Sequence, residues 1–104
     1  MVSFNTILNY VLREIDRLFF HRTVALTYHS VSDGKTPISV TKDNFRQQME
    51  FLKGSGRRVV GLGDFLKSSE ACVLITFDDA FGDVVSNALP ILKECGFPAA
   101  IFIN

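Results

Sequence analysis

The stretch Leu74-Ile75-Thr76-Phe77-Asp78-Asp79-Ala80-Phe81-Gly82-Asp83 sets two adjacent carboxylates, Asp78 and Asp79, directly after an apolar run. If the run is a buried strand, the acids sit at its C-terminal end. In parallel α/β folds sites form at that end, where the loops open on one face. Neighbouring strand residues point to opposite faces. The two carboxylates therefore suit different tasks, one toward a metal and the other toward substrate. The plainer alternative is that they cap or charge-complement the next helix. Asp83 is better placed for that work and makes the pair redundant as caps.

Other acid-pair chemistries fit less well. A phosphatase or phosphotransferase motif, Asp-x-Asp, needs a second acid where Ala80 stands if Asp78 is the nucleophile. Receiver domains need a further Asp at a later strand end, and the last apolar run closes on Ile103-Asn104. A glycosidase pair needs carboxyls at least ~5 Å apart, usually from different strands. Gly61-Leu62-Gly63 is too short to be a phosphate-binding fingerprint.

The elements that must position these acids follow from the hydropathy pattern. Phe4, Ile7, Leu8, Val11, Leu12, Ile15, Leu18 and Phe19 form one stripe and predict an amphipathic helix over 3–20, with Ser3 as N-cap. That helix packs on its own domain, or else meets a membrane surface or a partner. Val24–Tyr28 reads as a buried strand and 29–40 as a loop. Thr41 caps a helix over about 42–53, with Phe45, Met49 and Leu52 on one face. Arg58-Val59-Val60 is a second strand, 64–69 a short helix, and 72–77 a third strand. Asp83 opens a helix to about Glu94 with Val84, Val85, Ala88, Leu92 and Cys95 inward. Pro90 should kink it. Gly96 stops it. Residues 99–103 form a fourth strand. Strands alternating with helices predict an α/β fold with a largely parallel sheet. An apolar last strand leaves an open edge, through which self-association is expected.

Composition sets the outer limits. The chain has 104 residues, 47% of them hydrophobic, and zero formal net charge from eleven basic and eleven acidic residues. A disordered tail is excluded by that apolar content, and a global field for nucleic acid by the charge balance. No apolar run reaches the ~20 residues of a transmembrane segment. Cys72 and Cys95 lie far apart and read as buried small hydrophobes in a reducing compartment. Arg13, Glu14, Asp16 and Arg17 interrupt the first apolar stretch, unlike a secretory signal. A cytoplasmic location, or one peripheral to the inner membrane face, is the expectation.

Thr76-Phe77-Asp78-Asp79 resembles the first motif of the polysaccharide deacetylases, the NodB homology group or carbohydrate esterase family 4. Leu26-Thr27-Tyr28-His29-Ser30-Val31 resembles the early strand of one branch. Phe45 to Leu52 followed by Arg58-Val59-Val60, then Ala88-Leu89-Pro90-Ile91-Leu92, then Gly96-Phe97-Pro98-Ala99, agree in order and spacing. The likeness implies two parts, an N-terminal amphipathic helix over 1–22 and a partial NodB-like domain over 23–104. The fold implied is the N-terminal portion of a distorted (β/α)7 barrel, incomplete, with about four mainly parallel strands.

The reaction implied is metal-dependent removal of N- or O-acetyl groups from a carbohydrate polymer. By resemblance Asp78 is the general base and Asp79 a ligand to a divalent metal, usually zinc. Such a metal lowers the pKa of a bound water and polarises the acetyl carbonyl. Tyr28, His29 and Phe81 are candidate substrate-rim residues. Ala80 stands where the family often has Gly. The family's His-x-x-x-His motif, which completes the metal site, lies beyond the fourth strand. His21 reads as a charge complement at a helix end. His29 and Asp79 would supply two ligands, fewer than the three usual at catalytic zinc. Weak or absent metal binding is therefore expected of the isolated chain. The alternative is a non-catalytic remnant that binds carbohydrate or a protein partner.

Overall fold

β-Branched and aromatic residues crowd the three segments that pair as one sheet: Val24–Tyr28, Val73–Asp78 and Ala100–Phe102. The computed structural model describes residues 14, 23–34, 38–78 and 81–103, with the backbone alone for Phe81. The expected 3–20 helix, apart from Glu14, and His21, Asp79 and Ala80 lie outside the described residues. In chain order the elements are β1 (Val24–Tyr28), β2 (Ser30–Val31), β3 (Ser39–Val40), α1 (Lys42–Gly54), α2 (Leu62–Lys67) and β4 (Val73–Asp78). Then follow α3 (Phe81–Asp83), a π-turn (Val84–Ala88), α4 (Leu89–Cys95) and β5 (Ala100–Phe102).

The main sheet has three strands in the order β1-β4-β5, all parallel. Tyr28 pairs with Phe77, and Asp78 pairs with Phe102. The expected strand at 58–60 reduces to one bridge, Val59 to Val73. Val73 N donates to Arg58 O and Val60 N to Val73 O, but Gly61 already caps α2. The chain turns away before a second rung can form. The same cap starts α2 at Leu62, earlier than the expected Asp64. The expected loop over 29–40 carries a parallel ribbon, with Ser30 beside Ser39 and Val31 beside Val40.

Strand alternation sorts the residues of β4. Val73, Ile75 and Phe77 join the core with Phe45, Met49 and Leu52 of α1 and with Val84, Ala88, Ile91 and Leu92. Tyr28, Phe45 and Phe77 pack as an aromatic triangle with centroids 5.0, 5.6 and 5.9 Å apart. Thr76 and Asp78 take the other face. Thr41 caps α1 as expected, its Oγ1 accepting from Asn44 N at 3.1 Å.

Pro90 lacks the N–H that a continuous helix would use. The helix absorbs this through the π-turn, where Leu89 N donates to Val84 O in an i→i−5 bond. That wider turn rotates the following residues. Val85, expected inward, is 45% exposed, and Ile91 is buried instead. At the far end Gly96 adopts φ 72°, with Gly96 N donating to Lys93 O and Phe97 N to Leu92 O. These bonds make a Schellman cap.

Candidate functional site

Asp78 is the last residue of β4 and is half-buried. It follows Thr76 on the face turned from the helices. There Thr76 Oγ1 donates to Thr27 Oγ1 at 2.9 Å and approaches Leu26 O at 3.3 Å. No hydrogen bond or ion pair joins the Asp78 carboxylate to another described residue. Its register partner Phe102 is 47% exposed and flanks it on the same face. The strand end thus presents a carboxylate beside an open aromatic ring, a pairing that suits an amphipathic ligand such as a sugar.

The other expected residues divide. His29 follows β1 directly and is exposed. Because β1 and β4 are parallel and Tyr28 is level with Phe77, His29 leaves the sheet at the same end as Asp78. Tyr28 does not stand on that rim. Its ring is turned into the core, and its hydroxyl donates to Gln48 Oε1 at 2.5 Å. Strand alternation sets this, since Tyr28 shares the face of Phe77. Burial pushes the Tyr28 phenol well above its ordinary range. Phe81 begins α3, and its side chain lies outside the described residues, as does Asp79.

Asp83 corrects a second expectation. It makes no capping bond to the helix. Instead its Oδ2 accepts from Ser30 Oγ at 2.6 Å, across 53 positions of chain. Beside it Asn87 Nδ2 donates to Val31 O at 2.7 Å. The turn carrying His29 is thereby fastened to the helical segment that follows Asp78. Sequence reasoning missed Ser30, Asn87 and Phe102. Phe102 was within reach through the strand parity that singles out Asp78. The other two depend on the fold.

Among the described residues no group of three His, Cys, Asp or Glu side chains converges to hold a metal ion. The described residues therefore do not fit a complete metal centre. No helix among them is long and apolar enough to cross a membrane. A cleft of about 230 Å³ is lined by Ser55, Gly56, Arg57, Arg58, Glu70 and Ala71. Ala71 precedes β4, so this cleft opens at the strand's other end and is separate from Asp78.

Comparison with known proteins agrees with this geometry. The family model "Polysaccharide deacetylase" matches residues 66–104. YxkH of Bacillus subtilis, whose name assigns it to the polysaccharide deacetylases, is 39% identical over 85 residues, covering 75% of this chain and 30% of its own. The poly-β-1,6-N-acetyl-D-glucosamine N-deacetylase of Staphylococcus epidermidis is 34% identical over 71 residues, covering 62% of this chain and 25% of its own. The structure of IcaB from Ammonifex degensii superposes with a TM-score of 0.73 at 28% identity, over 80% of this chain and 38% of that one. The chain thus spans less than half the length of each of these proteins. Its parallel strands and helices are those of part of a (β/α) barrel, as expected. From the acid-tipped strand, the order of elements and these likenesses together, the chain belongs to the polysaccharide deacetylase family, as a portion equivalent to its N-terminal part.

Proposed function

We propose that this chain carries the general base of a carbohydrate deacetylase acting on a polymer of acetylated amino sugars. The substrate class follows the name of the Staphylococcus relative. Asp78 takes a proton from the water that attacks the acetyl carbonyl. The bond from the carbonyl carbon to the sugar nitrogen or oxygen then breaks. Acetate leaves, and the sugar atom receives a proton. Asp79 is the candidate ligand for a divalent cation, with zinc the expected ion.

One observation carries this reading. The Asp78 carboxylate stands at the C-terminal end of a parallel strand with no structural partner among the described residues. A carboxylate kept for stability is normally hydrogen-bonded or paired. The test is acetate release from N-acetylglucosamine oligomers, with and without added zinc, by the wild-type chain and by Asp78→Asn. Release that is lost in the variant supports the reading. Equal release by both would remove Asp78 from the chemistry. Oligomer binding without release by either would favour a second reading, a non-catalytic module that holds carbohydrate or a partner. Its support is the apolar β5 border, where Phe102 and the adjoining Ile103 are 47% and 67% exposed.

A further inference from the structure

Two side-chain hydrogen bonds meet on one short segment of chain. Ser30 Oγ donates to Asp83 Oδ2 at 2.6 Å, and Asn87 Nδ2 donates to Val31 O at 2.7 Å. Ser30 and Val31 are the whole of β2, which follows His29 directly. Asp83 and Asn87 lie an i,i+4 step apart on the helical segment that the Asp78 loop leads into. Ser30, Asp83 and Asn87 are half-buried, and Val31 is fully buried. The first bond has an ionised acceptor, the stronger class of hydrogen bond. The second satisfies the carbonyl of a buried residue.

From this arrangement we infer that Asp83, with Ser30 and Asn87, is a positioning residue for the strand-end site. It sets where the His29 turn and the Asp78 end of β4 stand relative to one another. Asp78 ends β4, and the helical segment begins at Phe81, three positions on in the chain. The helix start is in turn held to β2. Releasing the Ser30–Asp83 bond frees the two rims of the site to separate without removing a core contact. Asp83 acts here as a hydrogen-bond acceptor and not as an ion-pair partner, since no cation among the described residues pairs with it.

This inference rests on the proposed deacetylase reading, and its test separates the two. The full chain is prepared as wild type, Ser30→Ala, Asp83→Ala and Asp83→Asn, with Asp64→Ala in the exposed part of α2 as control. Acetate release is resolved into kcat and KM. A displacement of about 1 Å at a reacting group lowers rate by up to about 100-fold. Ser30→Ala and Asp83→Ala are expected to lower kcat between about 10- and 100-fold with KM within about twofold. Asp83→Asn, whose amide oxygen still accepts from Ser30, is expected to restore most of the rate.

Unchanged kcat in a folded Ser30→Ala overturns the inference. So does an Asp83→Asn as slow as Asp83→Ala, which would give the carboxylate itself a chemical role. If the wild-type chain releases no acetate, the deacetylase reading of this chain fails and NMR decides the positioning claim. The Asp78 carboxylate and His29 ring signals should then shift in Ser30→Ala and stay fixed in Asp64→Ala. Signals that stay fixed in both would overturn the claim. Ser30→Ala loses only a hydroxyl, so the test survives if Asp83→Ala does not fold.

Discussion

The Tyr28 hydroxyl donates to Gln48 Oε1 at 2.5 Å, joining the end of β1 to the buried face of α1. The other end of the same amide, Gln48 Nε2, is buried without a hydrogen-bond partner among the described residues. The pair is therefore half satisfied, and its stability contribution depends on both members. Tyr28→Phe leaves the whole amide unsatisfied and is expected to cost about 1–3 kcal/mol. Adding Gln48→Met removes the stranded polar group and should recover most of that loss. Urea unfolding of the two single variants and the double variant measures this. A double variant that is simply the sum of two losses would show that the bond is not what couples them.

The same burial predicts a pH dependence. The folded phenol is pushed well above its ordinary value of 10.0 by desolvation. Above that pH the unfolded chain sheds the proton while the native chain keeps it. The unfolded state then binds fewer protons, so stability falls as pH rises. Tyr28 thus contributes nothing adverse below pH 10 and destabilises the fold progressively above it. The thiol of Cys95, also raised by burial, acts in the same direction from its ordinary value of 9.0. The test is the difference between wild type and Tyr28→Phe in unfolding free energy against pH. The wild-type curve should fall more steeply above pH 10, and parallel curves would contradict the assignment.

Much of this fold was legible because its signals are local. The short apolar runs at Val24–Tyr28 and Val73–Phe77, the Thr41 cap and the Gly96 stop each need only neighbouring residues. Asp78 at the end of a strand was legible for the same reason. What escaped depends on three-dimensional context. Val85 was placed inward by a 3.6-residue period, and the π-turn before Pro90 breaks that period. Tyr28 was a candidate for the rim, whereas strand parity turns it to the core. Asp83 read as a cap because capping is a local bond, and its actual partner, Ser30, lies 53 positions away.

Two glycines should respond to alanine with opposite signs. Gly96 caps α4 at φ 72°, a left-handed conformation that costs an L-residue about 1–2 kcal/mol. Gly54 is the last residue of α1, and a Cβ built there meets nothing within 4 Å. Gly54→Ala is therefore expected to be neutral or stabilising by up to about 1 kcal/mol. Gly96→Ala is expected to destabilise by about 1–2 kcal/mol. Thermal midpoints of the two variants check both signs, and a loss at Gly54 equal to that at Gly96 would refute the distinction.

The β5 border carries its own expectation. Ile101, Phe102 and Ile103 are 36%, 47% and 67% exposed in consecutive positions. Exposed apolar strands recruit further strands unless a charge interrupts them. The isolated chain should therefore show a mass by light scattering that rises with concentration. Ile103→Lys, beyond the last ladder pair, should lower that tendency with no loss of fold. A monomer at every concentration would show that this border is not adhesive in solution.

Asp78 offers the sharpest separation between a structural and a chemical role. A capping carboxylate loses about 0.5–2 kcal/mol on replacement by alanine. Asp78 has no hydrogen-bond partner among the described residues and is half-buried beside Phe102, so its removal breaks no side-chain bond that supports the strand there. Asp78→Ala is accordingly expected to change the unfolding free energy by no more than about 0.5 kcal/mol. Over the same substitution acetate release should fall by about 100- to 10,000-fold, the usual contribution of a general base. Stability and activity thus move apart if the carboxylate is there for chemistry. A destabilisation of 1 kcal/mol or more, about what a lost cap costs, accompanied by unchanged turnover, would assign Asp78 to the scaffold.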